Sequence, residues 1–304
     1  MTTTATREAE VFVPGHITGF FSAHHTDDPA TTGSRGAGLT ITTGVKLEVC
    51  RGPTVSPGIT LNGKSISIDA VDNVIDRLDI DDINVNAQTA LPLGAGFGVS
   101  GAMTLGVAFG SNAVADKTNT RAESALITAA HCAEVRAGTG LGDVVAQARG
   151  GFPIRVEPGA PHVGQLDGIT ATPRVEYCSF GTVSTESVLN ADTNTLTTAG
   201  EQALETLQST PTAAQFMTLA HQFGVEAELM TPKAQEVIAD VQTAGGTAAM
   251  AMLGNTVFAL GNDLSAAGYD PVVCQTHSGG VSIQQQGNYQ TGGQHNPRTI
   301  EHSS

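Results

Sequence analysis

The sequence predicts an α+β fold, with helices gathered on one face of a largely antiparallel sheet. Two observations carry that expectation. Strand-like and helix-like segments follow one another with no strict strand–helix–strand alternation. In addition, four glycines in eight residues, Gly94, Gly96, Gly98 and Gly101, separate an alternating segment (Ile83, Val85, Ala87 against Asn84, Asn86, Gln88) from an Ala/Gly-rich apolar run over 103–108. That order reads as strand, glycine turn, helix. Glycines at such a junction let the backbone turn with positive φ and bring N–H groups close to a ligand, and the helix N-terminus adds partial positive charge. A phosphate is the ligand this arrangement suits.

The chain has 304 residues, enough for two domains, and the composition shift past Gly150-Gly151 places their boundary. The expected division is 1–160, 161–284 and a polar tail over 285–304. Lys+Arg number 14 against 29 Asp+Glu, a formal net charge of −15, and the only lysines are Lys46, Lys64, Lys117 and Lys233. Such a surface suits molar salt, where the Debye length is about 3 Å, so a halophilic source is expected; an ordinary acidic protein is the alternative. Nucleic acid and anionic membrane are not expected as partners. Cys50, Cys132, Cys178 and Cys274 are scattered without a C-x-x-C pair, which points to reduced core thiols rather than a zinc site or a disulfide scaffold. The first residues lack a basic and then apolar leader, and no run of about 18 apolar residues occurs, so a cytoplasmic location is expected. The oligomeric state is left open, a homodimer included.

Taken in order, 11–13 reads as a short strand broken by Pro14-Gly15. A long loop follows, with His16, Ser22, His24, His25 and Arg35 among small residues including Gly33-Ser34-Arg35-Gly36. It reads as a substrate-binding surface or as a mobile surface loop. Alternation over 39–49 and 65–70 reads as strands. Between them, 58–65 fits the P-loop expression G-x-x-x-x-G-K-[ST]. Asn62-Gly63 is a strong hairpin signal, however, and 65–69 alternates with period two, so a β-hairpin with Lys64 facing solvent is expected. Gly96-Phe97-Gly98-Val99-Ser100-Gly101 also satisfies G-x-G-x-x-G, with Asp116 near the spacing of a ribose-binding acid. The strands ahead of it argue against a dinucleotide fold, which that fingerprint normally opens.

Ala122, Leu126, Ala129, Ala130 and Ala133 give helical spacing over 120–137, with Thr120 as the expected cap and Gly138 as the stop. His131 and Glu134 share one face of that helix; taken alone, Glu134 reads as a surface acid. A second glycine loop, Gly138-Thr139-Gly140-Leu141-Gly142, ends in Asp143, which reads equally as a helix cap and as a catalytic acid. Ile154-Arg155-Val156 is a strand, and 157–164 a Pro/Gly linker. Strands over 169–171 and 175–183, helices over 195–207, 213–223 and 232–243, and strands over 248–252, 256–260 and 272–276 follow. The stretch 284–304 is too polar to bury and is expected to be disordered.

Three motifs in this order resemble the GHMP kinase superfamily. Val13-Pro14-Gly15-His16 resembles its opening motif, 92–102 its P-x-x-x-G-L-G-S-S-A phosphate loop, and 246–260 its C-terminal motif. Phe97 stands for the usual Leu, and Val99 replaces the first of the paired serines, leaving Ser100 alone. Gly33-Ser34-Arg35-Gly36, Ala130-His131-Cys132-Ala133-Glu134 and Gly140-Leu141-Gly142-Asp143 are similar to the branch that phosphorylates pantoate in archaeal coenzyme A synthesis. The resemblance implies a ribosomal S5 domain 2-like N-terminal domain and a ferredoxin-like C-terminal domain, with ATP and substrate between them. It implies ATP phosphates on Pro92, Gly94, Gly96, Gly98, Ser100 and Gly101, Mg²⁺ on Ser100 and Glu134, and Asp143 orienting or deprotonating the attacking hydroxyl. His16, Ser34, Arg35 and Arg155 are the expected substrate contacts, the arginines because a guanidinium meets a carboxylate bidentately. A kinase of mevalonate, phosphomevalonate or homoserine is the second reading, and a dinucleotide-binding oxidoreductase or a silent binding module the third.

Overall fold

Two long antiparallel strands, β1 (Arg7–His24) and β2 (Gly33–Arg51), form the spine of the protein in this computed structural model, which describes residues 6–52, 55–116, 120–182 and 194–286. Alternation sets their inner face: Val11 opposes Leu47 and Val13 opposes Val45, all buried. A large sheet grows from this pair. β12 (Ser282–Gln286) lies outside β1, while β5 (Ile83–Thr89), β3 (Gly58–Leu61) and β4 (Lys64–Ser65) extend from β2. β6 (Pro153–Glu157) joins β2 at Gly36 and Ala37, and β7 (Gln165–Gly168) pairs with β6. A second, four-stranded sheet runs β11 (Val272–Gln275), β8 (Arg174–Ser179), β10 (Thr256–Leu260), β9 (Ala248–Met250). Among the described residues every strand pairing is antiparallel except β3 with β5.

Helices α1 (Asp69–Leu78), α2 (Val99–Val114), α3 (Glu123–Ala137) and α4 (Asp143–Arg149) gather on one side, with α2 packed directly on β1 and β2. α2 is apolar around its whole circumference, as a helix must be when sheet covers one flank and helices the other. Helices α5 (Asn194–Ser209) and α6 (Ala213–Glu226) pack on β1, α7 (Pro232–Thr243) packs on β9 and β10, and α8 (Asp263–Ala266) is a single turn. The α+β class is therefore as the sequence predicts.

Several local expectations are overturned. The stretch 14–38 is not a loop: its two halves are the arms of the β1–β2 hairpin, and only 25–32 turns. Pro14 and Gly15 do not end β1 because a bulge between them absorbs the missing donor, and a second irregularity follows at Thr18/Phe20. Its small residues are filled from outside, Phe216 of α6 lying against Gly19. The strand expected over 65–70 stops at Ser65, and α1, missed from the sequence, begins at Asp69. α3 starts later than Thr120, with Ala122 at its cap position. Residues 169–171 form no strand, the neighbouring pairing being β7. Gln284, Gln285 and Gln286 belong to β12 instead of a tail; residues 287–304 lie outside those described. The hairpin at 58–65 forms as expected, with Asn62 and Gly63 at φ 51° and 75° and Lys64 exposed. All four cysteines are free.

Candidate active site

The glycine turn leads out of β5 into α2. Gly98 caps α2 in the left-handed region, φ 61°, ψ 31°, and makes no side-chain capping bond. A side chain at Gly98 would strain the backbone and crowd Asp143 Oδ1 and Gln147 Nε2, both 3.0 Å from where its Cβ would stand. The first-turn N–H groups of a helix have no partner within it, so those of Val99, Ser100 and Gly101 are free for an anion. The other wall comes from the second sheet. Thr256 Oγ1 donates to Ala95 O at 2.8 Å and Met252 N donates to Thr18 O at 2.9 Å, pinning the β9–β10 turn to the glycine turn and to β1.

Glu134, on α3, is only 2% exposed, so it is no surface acid. Ser100 Oγ and Thr104 Oγ1 donate to its Oε1 at 2.7 and 2.9 Å, and Thr139 Oγ1 donates to its Oε2 at 2.9 Å. Burial pushes its pKa above the ordinary carboxylate value, and the three hydroxyls only partly offset that.

Asp143 opens α4 but caps nothing; Gly142 holds the cap position and α4 has no side-chain capping bond. The carboxylate instead accepts from His16 Nδ1 at 2.7 Å. Burial raises the Asp143 pKa, but the His16 hydrogen bond and the Arg155 charge outweigh it and hold the carboxyl below its ordinary value. Burial also lowers the pKa of His16, which has no exposed surface. We therefore take the pair as neutral imidazole and carboxylate. A carboxylate can only accept, so the proton sits on Nδ1, leaving Nε2 bare.

Arg155 is 2% exposed and donates from Nε to Ser34 Oγ at 3.1 Å; its Nη1 is buried without a partner. Desolvation lowers its pKa to about 10, far above neutrality, so it stays cationic. Gly142 admits this pair, since a Cβ there would strike Ser34 Oγ and Arg155. Arg35 is not brought to this wall: its Nε donates to Val156 O at 2.8 Å and it does not line the cleft.

These groups line one cleft of about 400 Å³. Gly94, Gly96, Gly98, Ser100, Gly101, Glu134, Asp143, Ser34 and Arg155 line it, His16 stands directly behind Asp143, and Pro92 lies outside, exposed. The sequence reading missed Ile68 in the apolar part of the wall, and Thr104 and Thr139 on Glu134; Leu93 and Leu253, also apolar there, lie within the two quoted motifs. Leu253, with φ 64°, is one of the few non-glycine residues in the left-handed region. Asp116, the acid of the dinucleotide reading, is paired with Arg7 and does not line the cleft. Among the described residues no group of three or more His, Cys, Asp or Glu could by itself hold a metal, and no helix is long and apolar enough to cross a membrane.

Residues 65–151 match the family described as GHMP kinases N terminal domain. Over 278 residues the sequence is 33% identical to a pantoate kinase of Methanocaldococcus jannaschii, covering 88% of this chain and 100% of that protein. Among solved structures, a phosphotransferase related to the CoA biosynthesis pathway superposes with TM-score 0.80 at 24% identity, over 91% of this chain and 98% of that one. MDDEF in complex with MVAPP, AMPPCP and magnesium superposes with TM-score 0.70 at 13% identity, over 93% of this chain and 100% of that one. A full-length match at that level of identity, on the same fold and with the glycine turn inside the matched segment, makes this chain a member of the pantoate kinase family of GHMP kinases.

Proposed function

We propose that the cleft transfers the γ-phosphoryl group of ATP to a hydroxyl of pantoate, giving 4-phosphopantoate for archaeal coenzyme A synthesis. The observation that carries this reading is a juxtaposition: Asp143 is packed against the N-terminus of α2, and on the same wall Arg155 keeps a buried, unpartnered donor. The N–H groups of the 96–101 turn hold the phosphates. Arg155 Nη1 takes the pantoate carboxylate, with Ser34 fixing the guanidinium. Ile68 and Leu93 give the nucleoside an apolar surface.

Asp143, held low, is a poor ground-state base and a good orienting anion. As the substrate oxygen bonds to phosphorus and the bond from phosphorus to the β-phosphate oxygen breaks, the hydroxyl becomes acidic and passes its proton to Asp143. A loose phosphoryl-transfer transition state asks for little more than this positioning and charge balance. His16 keeps the carboxylate aimed.

Magnesium fits the donor set. Mg²⁺ takes oxygen ligands, one or two of them carboxylates and others from substrate phosphates, and Glu134 with Ser100 offers them beside the glycine turn. Bound there, the ion supplies charge neutralisation at the phosphates. The complex of MDDEF with AMPPCP and magnesium supports this assignment. The acidic, lysine-poor composition supports a salt-rich cytoplasm as the working medium.

The test is ADP release from the purified protein with ATP, Mg²⁺ and, in turn, pantoate, mevalonate, homoserine and shikimate. Pantoate should give the highest kcat/KM by at least about tenfold; another acceptor at the top of the series would refute the substrate. Within that assay Arg155→Gln should raise KM for pantoate about tenfold or more, a charge-assisted contact being lost. Arg35→Ala should change it less, and the reverse ranking would move the carboxylate to Arg35.

A further inference from the structure

Gln147 lies one helical turn beyond Asp143 on α4, so the two side chains share a face. It has no exposed surface and does not line the cleft. Its Nε2 donates to Gly98 O at 2.9 Å, the carbonyl that also accepts the first intrahelical bond of α2, from Ala102 N at 2.9 Å. Its Oε1 is buried without a partner, standing over Gly101, 3.0 Å from where a Cβ on that glycine would lie. A buried amide with an unmet acceptor costs stability that an apolar side chain of the same length would not. What the amide alone supplies is its bond to Gly98.

We propose that Gln147 is a positioning residue for phosphoryl transfer. Through Gly98 O it locks the first turn of α2, where the phosphates sit, at a fixed offset from the Asp143 carboxylate on its own helix. Gly98 has no side chain with which to cap α2, so the Gln147 amide is the side chain that ties this turn to α4. One short helix thus carries both the group that orients the acceptor hydroxyl and the group that holds the donor's seat. The inference rests on reading the 96–101 turn as the phosphate site.

The test is Gln147→Met, measured for kinetics and for thermal unfolding. Expected are a fall in kcat of about tenfold to hundredfold, since small misplacements of reacting groups cost on that scale, a KM for pantoate within a few-fold of wild type, and a melting temperature no lower than wild type. A kcat within twofold of wild type would overturn the proposal. A melting temperature that falls together with activity would overturn it too, by making the residue a structural support. Should Gln147→Met fail to fold, Gln147→Glu decides. Its carboxyl would face Gly98 O and Asp143, with His16 and Arg155 beyond, and can donate only when protonated. The ratio of variant to wild-type kcat should therefore rise from about pH 8 to about pH 6; a ratio that stays flat overturns the proposal. If Asp143→Asn and Ser100→Ala also retain full activity, the reading of the site itself has failed; if they lose activity and Gln147→Met does not, only this inference has.

Discussion

The protein has two glycine turns that invite the same interpretation, and they do different things. The turn at 58–65 satisfies the P-loop expression, lysine included, yet it joins β3 to β4 and leaves Lys64 in solvent. The turn at 91–101 has no lysine, yet it ends at the N-terminus of a 16-residue helix and faces Asp143 and Glu134. Glycine spacing is common to both. The element that follows, a two-residue strand or a buried helix, decides whether the backbone N–H groups are consumed by a hairpin or left pointing at a ligand. In the proposed reaction the peptide dipoles and the metal would meet the phosphates, with no local lysine required, and Arg155 on a distant strand is kept for the acceptor's carboxylate.

The comparison is sharpened most strongly by Asp143→Asn, which keeps shape and removes charge. It should lower kcat by about 10²- to 10⁴-fold with KM for pantoate nearly unchanged, because the carboxylate acts as bonds form and break. Near-full turnover would take the chemistry away from this turn. Ser100→Ala removes a hydroxyl at the start of α2 and should cost about 10²- to 10³-fold in kcat, the scale of a single transition-state contact. Steady-state rates at several Mg²⁺ concentrations would check it, and a loss below fivefold would break the assignment.

Acid gives a smaller effect. The 91–101 turn is backed by His16, whose backbone N–H donates to Phe97 O at 3.0 Å, and α3 carries a second buried histidine, His131, bonded through Nε2 to Thr32 O at 2.8 Å. Burial lowers both pKa values. The unfolded chain then takes up protons below about pH 6.5 while the folded chain does not, so stability is held above that pH and lost as pH falls. The loss is at most about 1.4 kcal/mol per pH unit for each histidine. Glu134, its pKa raised by burial, works in the opposite sense, so the test is a difference: melting temperatures from about pH 7.5 to about pH 5.5 should fall less in His131→Gln than in wild type, and an identical pH profile for the two would take this effect away from His131. The smallest effect belongs to the other turn. Lys64→Ala should leave kcat and both KM values unchanged, and a loss matching that of Ser100→Ala would reverse the roles of the two turns.

Much of this was legible in the sequence wherever the signal is local. Helices α5, α6 and α7 fall within a few residues of their expected positions because their apolar residues repeat with a 3.6-residue period. The glycine turn, Glu134 and Asp143 stand out by residue type and spacing. α1 carried the same kind of signal in Val71, Val74, Ile75 and Leu78 and was overlooked. The β1 and β2 arms were read as a loop because Pro14 and the glycines of 33–38 are local breakers, whereas what keeps them extended, each arm's pairing with the other and the Phe216 ring against Gly19, is not encoded in the local sequence. The choice between Arg35 and Arg155 rests on strand register, Gly36 opposite Arg155, which no spacing along the chain encodes. Thr104, Thr139 and Gln147 meet their partners only on folding, as Gln147 and Gly98 lie 49 residues apart.

The edge of the large sheet carries a consequence for how the protein is made. β1 is held between β2, its immediate successor, and β12, which pairs Glu8 with Gln286 and Phe12 with Ser282. During synthesis β1 can find β2 early, but its other edge stays open until residues 282–286 have left the ribosome. An unpaired strand edge is a template for foreign chains, and such long-range pairing is slow to form. The nascent chain therefore passes through a stage in which residues 8–12 of β1 are half-zipped and sticky, and the arrival of β12 removes that hazard.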